Sequence, residues 1–419
     1  MPKEIHKGLA RRELLAALAA VPVLAPFGSV AMAAPARRPR ILWRQGWDIK
    51  NIGDIAHVPG AIALLRQHVP EASITLWASF DLVFRSEIAR LAGFEDGAVD
   101  AGTLSRAIDP ELEIVFGGCD AQGRGDNPAL DAAIASADIM IQGTSAGVVG
   151  AQLEAFRHRT AKPIGIFGVT VDPANFSNLT AGSPDVEALR DAAFVFTRDT
   201  LSLKVLTNQD ADGPGGTMRD VPSTPIDETI NRVPTGFDFS DKQPAFVPDT
   251  AFAFPSRDEA AARLFMAEHG LEPGRFACFV PRHRWAPNGR PTPKGDSRDA
   301  YNANFLAQDI AKLLTAVTDY VTRTGNRAAL VAETLYGLGL LEAMRDQLPP
   351  AVASRTAVQR KFWLPDMAAS LFAHAQVVVS LENHSPIIAA TVGTPFVMLH
   401  QPEDTIKSQM FSDIGFDDW

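Results

Sequence analysis

The chain of 419 residues has only two cysteines, Cys119 and Cys278, far apart in sequence. A lone pair builds no disulfide framework, and neither cysteine sits in a metal-type spacing. The nine histidines contain no His-x-x-x-His pair and no His-Cys cluster, so spacing along the chain points to no zinc site. Basic charge is also short. Thirty-nine Lys and Arg against 49 Asp and Glu leave a net charge of -10, which lacks the basic field that nucleic acid binding needs. A local basic pocket for a small anion remains possible within that balance. No internal repeat is evident.

What is present is an ordinary globular composition, with 46% hydrophobic and 21% charged residues, and length for about two to three domains. Residues 1–36 differ from the rest. Lys3, Lys7, Arg11 and Arg12 form a basic head, an uncharged run follows from Leu14 to Ala36, and "AMA" at Ala31–Ala33 is a small-x-small cleavage pattern. This reads as an export signal, and the adjacent Arg11-Arg12 gives it a twin-arginine character. The expected location is the periplasm or cell envelope; an uncleaved membrane anchor and a cytoplasmic form are the other readings. No second apolar run of spanning length follows.

From residue 37 short apolar runs alternate with amphipathic stretches, which predicts a parallel α/β sheet. "ILW", "SITLWA", "EIVFGG", "DIMIQG", "KPIGIFGVTV" and "FVFTRD" read as strands of an N-terminal Rossmann-like domain over residues 37–206. Its first helix reads as Asp54–His68, with Asp54 as N-cap. Residues 207–256 are rich in Pro, Gly and Asp and read as a linker or crossover. A second α/β run over residues 257–419 follows, with strands "FACFVPR", "AALVAET", "QVVVSLE" and "PFVMLH". The expectation is two Rossmann-like domains facing a cleft.

Ligands of open α/β sheets bind beyond the carboxyl ends of the strands. Five such loops carry polar or glycine-rich content. In "WRQGWDIKNIGDIA", Asn51 and Asp54 flank Gly53, which permits a tight turn; Asp54 is a helix cap or a cleft residue. "GTSAGVVG", with Ser145, suits a phosphate or a sugar hydroxyl, or is a structural turn; it has neither the dinucleotide nor the P-loop pattern. "FTRDTLS" offers Arg198 as an anion ligand or an ion-pair partner. "PRHRWAPNGRPTPKGDSR" is a basic loop or a solvated one, with Arg282 and Arg284 nearest its strand. "VVVSLENHSPIIAATVGTP" ends a strand in Glu382, Asn383 and His384, before a helix capped by Ser385 or begun by Pro386. An imidazole there can act as general acid or base, or serve structure alone.

The order of these pieces is more specific than any one of them. "NIGD", "ADIMIQGTS", "KPIGIFG", "TRDTLSLKVL", "VPDTAF" and "AHAQVVVSLENHSPIIAATVGTPFVMLH" occur in succession, and "IKSQMFSDIGFDDW" closes the chain. This succession resembles the polysaccharide pyruvyl transferase family over about residues 41–419. The resemblance implies a two-domain, GT-B-like fold. It implies transfer of a pyruvyl group from phosphoenolpyruvate to sugar hydroxyls of a polysaccharide or glycolipid, with release of phosphate and no further cofactor. His384 would be the acid/base and Arg198 an anion ligand. Asn51 and Asp54 would line the cleft, and Lys407 would reach the donor. Where the family places arginine two residues before the histidine, this chain has Glu382, which cannot bind an anion but can favour a protonated His384. A GT-B-like transferase with another donor, and a non-catalytic glycan-binding envelope protein, are the alternatives.

Overall fold

The computed structural model describes residues 38–45, 50–78, 101–171, 182–207, 239–287, 292, 295–401, 404 and 409–416. The expected export signal at 1–36, most of the expected linker, and Lys407 lie outside the described residues. The first unit runs β1 (Arg40–Gln45), α1 (Ile52–His68), β2 (Ser73–Ala78), α2 (Ala101–Ile108), β3 (Glu113–Phe116), α3 (Pro128–Ser136), β4 (Ile139–Gln142), α4 (Gly150–Thr160), β5 (Ile164–Val169), α5 (Pro184–Asp191), β6 (Val195–Thr197), α6 (Thr200–Leu206) and β7 (Ala245–Phe246). The second runs α7 (Glu259–His269), β8 (Phe276–Val280), α8 (Arg298–Thr324), β9 (Arg327–Leu330), α9 (Leu338–Asp346), α10 (Pro350–Ala353), β10 (Thr356–Val358), α11 (Pro365–His374), β11 (Val378–Ser380), α12 (His384–Thr391) and β12 (Phe396–Met398). The chain then returns to the first unit. In α13 (Gln409–Asp413), Asp413 accepts hydrogen bonds from the Thr200 backbone and hydroxyl at the start of α6.

Both sheets are parallel. The first has the order β3-β2-β1-β4-β5-β6-β7 and the second β10-β9-β8-β11-β12. Strand order therefore reverses between β1 and β4 and between β8 and β11, the two places where such sheets open a crevice. Helices cover both faces, so the strands read as apolar runs; β4 and β8 are buried at every position. This is the expected pair of Rossmann-like domains in a GT-B-like arrangement.

One apolar cluster runs through both domains. It joins Ile41, Trp43 and Ile55 to Cys278, Phe372 and Ile387. Each fully buried side chain of this size contributes about 1.5–3 kcal/mol relative to exposure. A shared core of this kind limits domain motion, so the cleft it floors is largely preformed. A backbone clasp closes one end of the cleft: Ile52 N–H donates to the Glu333 carbonyl and Leu335 N–H to the Lys50 carbonyl.

Several local expectations change. Residues 245–246, expected in a linker, form the seventh strand of the first sheet, and β10 was not expected at all. Strands of two or three residues are too short to show alternation. Asn51, not Asp54, caps α1: its side chain accepts from Gly53 N–H at 2.8 Å, which leaves Asp54 in the first turn. Helix α12 begins at His384 itself, ahead of Ser385 and Pro386.

Candidate active site

The second domain supplies His384 and the carboxylate that orients it. Asn383 gives α12 no side-chain cap, so the helix start needs another acceptor. Glu333, just beyond β9 and 1% exposed, fills that place. Its Oε2 accepts from Ser385 N–H at 2.6 Å and from the Ser385 hydroxyl at 2.9 Å. Its Oε1 lies 3.1 Å from His384 Nδ1. An ionised carboxylate only accepts, so Nδ1 carries the hydrogen. Nε2 is buried and has no hydrogen-bond partner among the described residues. Burial opposes charge on His384, but the hydrogen bond to Glu333 and the charges of Glu333, Asp249 and Asp54 outweigh it and raise the imidazole pKa. For Glu333, burial raises and the His384 and Ser385 contacts lower; the net direction is down.

The first domain brings Asn51, Asp54 and His57 on α1. Asp54 and His57, three residues apart, share one helix face, with Oδ1 and Nδ1 separated by 3.7 Å. His57 is 1% exposed, and its Nε2 lies 3.1 Å from Asp249 Oδ1. The His57 and His384 rings meet edge to face, with centroids 5.0 Å apart. Gly53 lies directly under His384: a Cβ there would sit 1.9 Å from His384 Cγ. The glycine is needed for this close approach. The tight turn expected of it is not the reason, since its φ is not positive.

Asp249 links the histidine to an arginine. Its Oδ2 accepts from Arg198 at 2.8 Å, and Arg198 Nε donates to Thr170 Oγ1 at 2.7 Å. Burial works against the Asp249 charge, but His57, Arg198 and His384 hold its pKa far below the usual range. Beyond Thr170 stands Asp199, the N-cap of α6, which accepts from Ser202 N–H at 2.6 Å. There burial wins and pushes the carboxyl up to about 6. A raised native pKa means the folded state holds this proton more tightly than the unfolded one. The group's stabilisation is complete below about pH 3.9 and is lost as pH rises through about 6. Asp199→Asn removes this dependence. Denaturant titrations of wild type and variant at pH 4 to 7 should show the wild type losing ground relative to the variant as pH rises; parallel profiles would contradict it.

These groups surround a cavity of about 200 Å³ lined by Asn51, Asp54, His57, Ser145, Ala146, Arg198, Arg282, Glu333, Glu382, Asn383, His384 and Met410. Asn51, Asp54, Ser145, Arg198, Arg282, Glu382 and His384, singled out from sequence, thus meet in one place. The Ser145 hydroxyl is engaged, accepting from Gln142 Nε2 and donating to the Gly147 carbonyl. Arg282 touches both Glu382, at 3.4 Å, and Asp404. Both arginines that line the cavity therefore already face carboxylates.

Arg284 is elsewhere. It is buried against α8, where its Nε and a terminal nitrogen donate to Asp309 at 2.7 and 3.0 Å and its guanidinium lies over Phe305. It is a structural ion pair and not a cleft ligand. Breaking a buried pair from one side costs about 3–5 kcal/mol. Arg284→Met should lower the unfolding free energy by that much and leave any activity of the remaining folded protein unchanged. A fall in turnover with stability intact would return Arg284 to the site.

His57, Asp249 and Glu333 were not anticipated as site residues. Asp249 lies within "VPDTAF" and His57 one helical turn after Asp54, so both had a signal. Glu333 had none, because "AALVAET" reads as strand to its end. The ligand atoms of Asp54, His57 and His384 lie within 4.8 Å of one another, and these residues could hold a cation. No sequence spacing announces this group, because His384 comes from the other domain.

No protein-family model matches the chain, and no curated protein sequence matches it. Solved structures with a similar chain course include Escherichia coli ADP-heptose lipopolysaccharide heptosyltransferase II, with 12% identity and a TM-score of 0.44 over 86% of this chain and 84% of that one. UDP-GlcNAc 2-epimerase from Neisseria meningitidis gives 9% and 0.43 over 89% and 85%. A ugt transferase from Siraitia grosvenorii gives 10% and 0.43 over 90% and 84%. Likenesses at this level carry no argument about substrate.

Proposed function

We propose that the protein is a GT-B-like transferase that moves a pyruvyl group from phosphoenolpyruvate to hydroxyls of a cell-envelope or exported polysaccharide. The observation that carries this reading is that His384, whose Nε2 is unpartnered, lines an interdomain cavity together with polar side chains from both domains. In the reaction a sugar hydroxyl adds to the vinyl carbon while the methylene takes up a proton. A second hydroxyl then displaces phosphate and closes the ketal. Positive charge at Nε2 suits the first step, and Glu333 behind the ring supports that charge. Asn51 and Asp54 are suited to hydrogen bonds with sugar hydroxyls. The acceptor's location follows from the export signal read at residues 1–36, which remains part of the proposal.

The test is acceptor-dependent release of phosphate from phosphoenolpyruvate by purified protein supplied with extracted envelope glycan. Release that requires both substrates supports the reading, and its absence across glycans and divalent ions removes it. One observation favours a second reading, a donor of lower negative charge: both cavity arginines are paired with carboxylates. Transfer from a neutral or nucleotide-linked donor in the same assay format would select it.

A further inference from the structure

We propose that Asp54, His57 and His384 form a binding site for a divalent first-row transition-metal ion. Each imidazole has a carboxylate beside it, hydrogen-bonded to His384 and in close charged contact with His57. Nδ1 of His384 lies 3.1 Å from a Glu333 oxygen, and Nε2 of His57 lies 3.1 Å from an Asp249 oxygen. Carboxylates behind imidazoles in this way fix the ring and raise its basicity, and metal-binding histidines are commonly so supported. Nε2 of His384 and Nδ1 of His57 are buried and have no hydrogen-bond partner among the described residues, and Nε2 of His57 has none either despite its closeness to Asp249. A buried polar atom left unpaired costs about 1–3 kcal/mol, and two such nitrogens beside one carboxylate oxygen call for a shared occupant.

The spacing suits an ion. Asp54 Oδ1 and His57 Nδ1 are 3.7 Å apart, and all three ligand atoms lie within 4.8 Å. Bonds of about 2.0–2.2 Å to a common ion separate its ligands by roughly 3–4.4 Å, so small side-chain adjustments close the site. Two imidazoles and one carboxylate select a transition metal over magnesium or calcium and leave coordination positions open. Those positions face the cavity, where an oxygen of an anionic donor could complete the shell. The ion would bring the positive charge that the carboxylate-paired Arg198 and Arg282 do not offer freely. A proton and an ion on Nε2 exclude each other, so with the ion bound His384 is a ligand and the ion supplies the positive charge; the donor's place on the ion rests on the transfer reading, and binding of the ion does not.

The experiment uses the purified full chain, stripped with chelator and titrated with Co²⁺ followed by visible ligand-field absorption and with Zn²⁺ by calorimetry, without any substrate. One ion per chain is expected. Glu333→Gln, behind His384, should weaken binding by about 10–100-fold, the range seen when supporting groups are altered, and Asp54→Asn, which removes a ligand's charge at a partly exposed position, by at least as much. His374→Ala, remote from the cleft, should leave it unchanged. Failure of wild type to bind either ion, or equal affinity in wild type and Asp54→Asn, overturns the site. Binding without phosphate release removes the transfer reading and leaves the ion site; release without binding does the reverse.

Discussion

His384→Ala should reduce transfer by about 10³-fold or more while the protein stays folded. Loss of a positioned acid or base typically removes 10²–10⁴ of rate, and this residue also orders the centre of the cavity. The fold should survive, because Glu333 keeps two donors from Ser385, its N–H and its hydroxyl, at the start of α12. The cost of the unsatisfied Oε1 is about 1–3 kcal/mol. Steady-state phosphate release and a denaturant midpoint on the same preparation separate the two effects. Activity within about tenfold of wild type would show that the reacting atoms lie elsewhere.

Gly53→Ala should be nearly as damaging, although it touches no substrate. A methyl at this position would lie 1.9 Å from Cγ, 2.1 Å from Nδ1 and 2.4 Å from Cβ of His384. The ring cannot retreat without leaving Glu333, and Gly53 is tied by its N–H to Asn51. Transfer should fall by about 10²-fold, on the precedent that displacements near 1 Å cost that much. Overpacking should also destabilise by about 1–3 kcal/mol. The sign is informative, since glycine to alanine in a helix normally stabilises by about 0.5–1 kcal/mol. Gly339 in α9, where an added Cβ meets nothing within 4 Å, should show that normal gain. A stabilised and active Gly53→Ala enzyme would mean that His384 does not sit against α1.

The alternation of strands and helices announced two parallel domains, and the carboxyl-end rule ranked the loops that meet in the cavity. What escaped the sequence was pairing across distance. Arg282 and Arg284 looked equivalent on one basic loop. Only tertiary placement turns one to Glu382 and Asp404 at the cleft and the other to Asp309 in α8. Glu333 follows β9 and His384 follows β11, with α9, α10, β10 and α11 between them in sequence, and no local pattern marks a carboxylate that meets a helix start 51 residues later. Gly53 was noticed for the wrong physical reason, since sequence cannot distinguish a turn from a close approach. Glu382, at the position where the sequence resemblance led to an expected arginine, faces Arg282, which places a guanidinium at that edge of the cavity.

The most direct measurement is a crystal structure of the protein soaked with phosphoenolpyruvate, with and without Zn²⁺. Without Zn²⁺ the account predicts the donor between Asn51 and Asp54 on one side and His384 on the other, its vinyl carbon nearest Nε2; with Zn²⁺, Nε2 is taken by the ion held on Asp54, His57 and His384. A donor bound outside this cleft, or an empty cleft under both conditions, would contradict it.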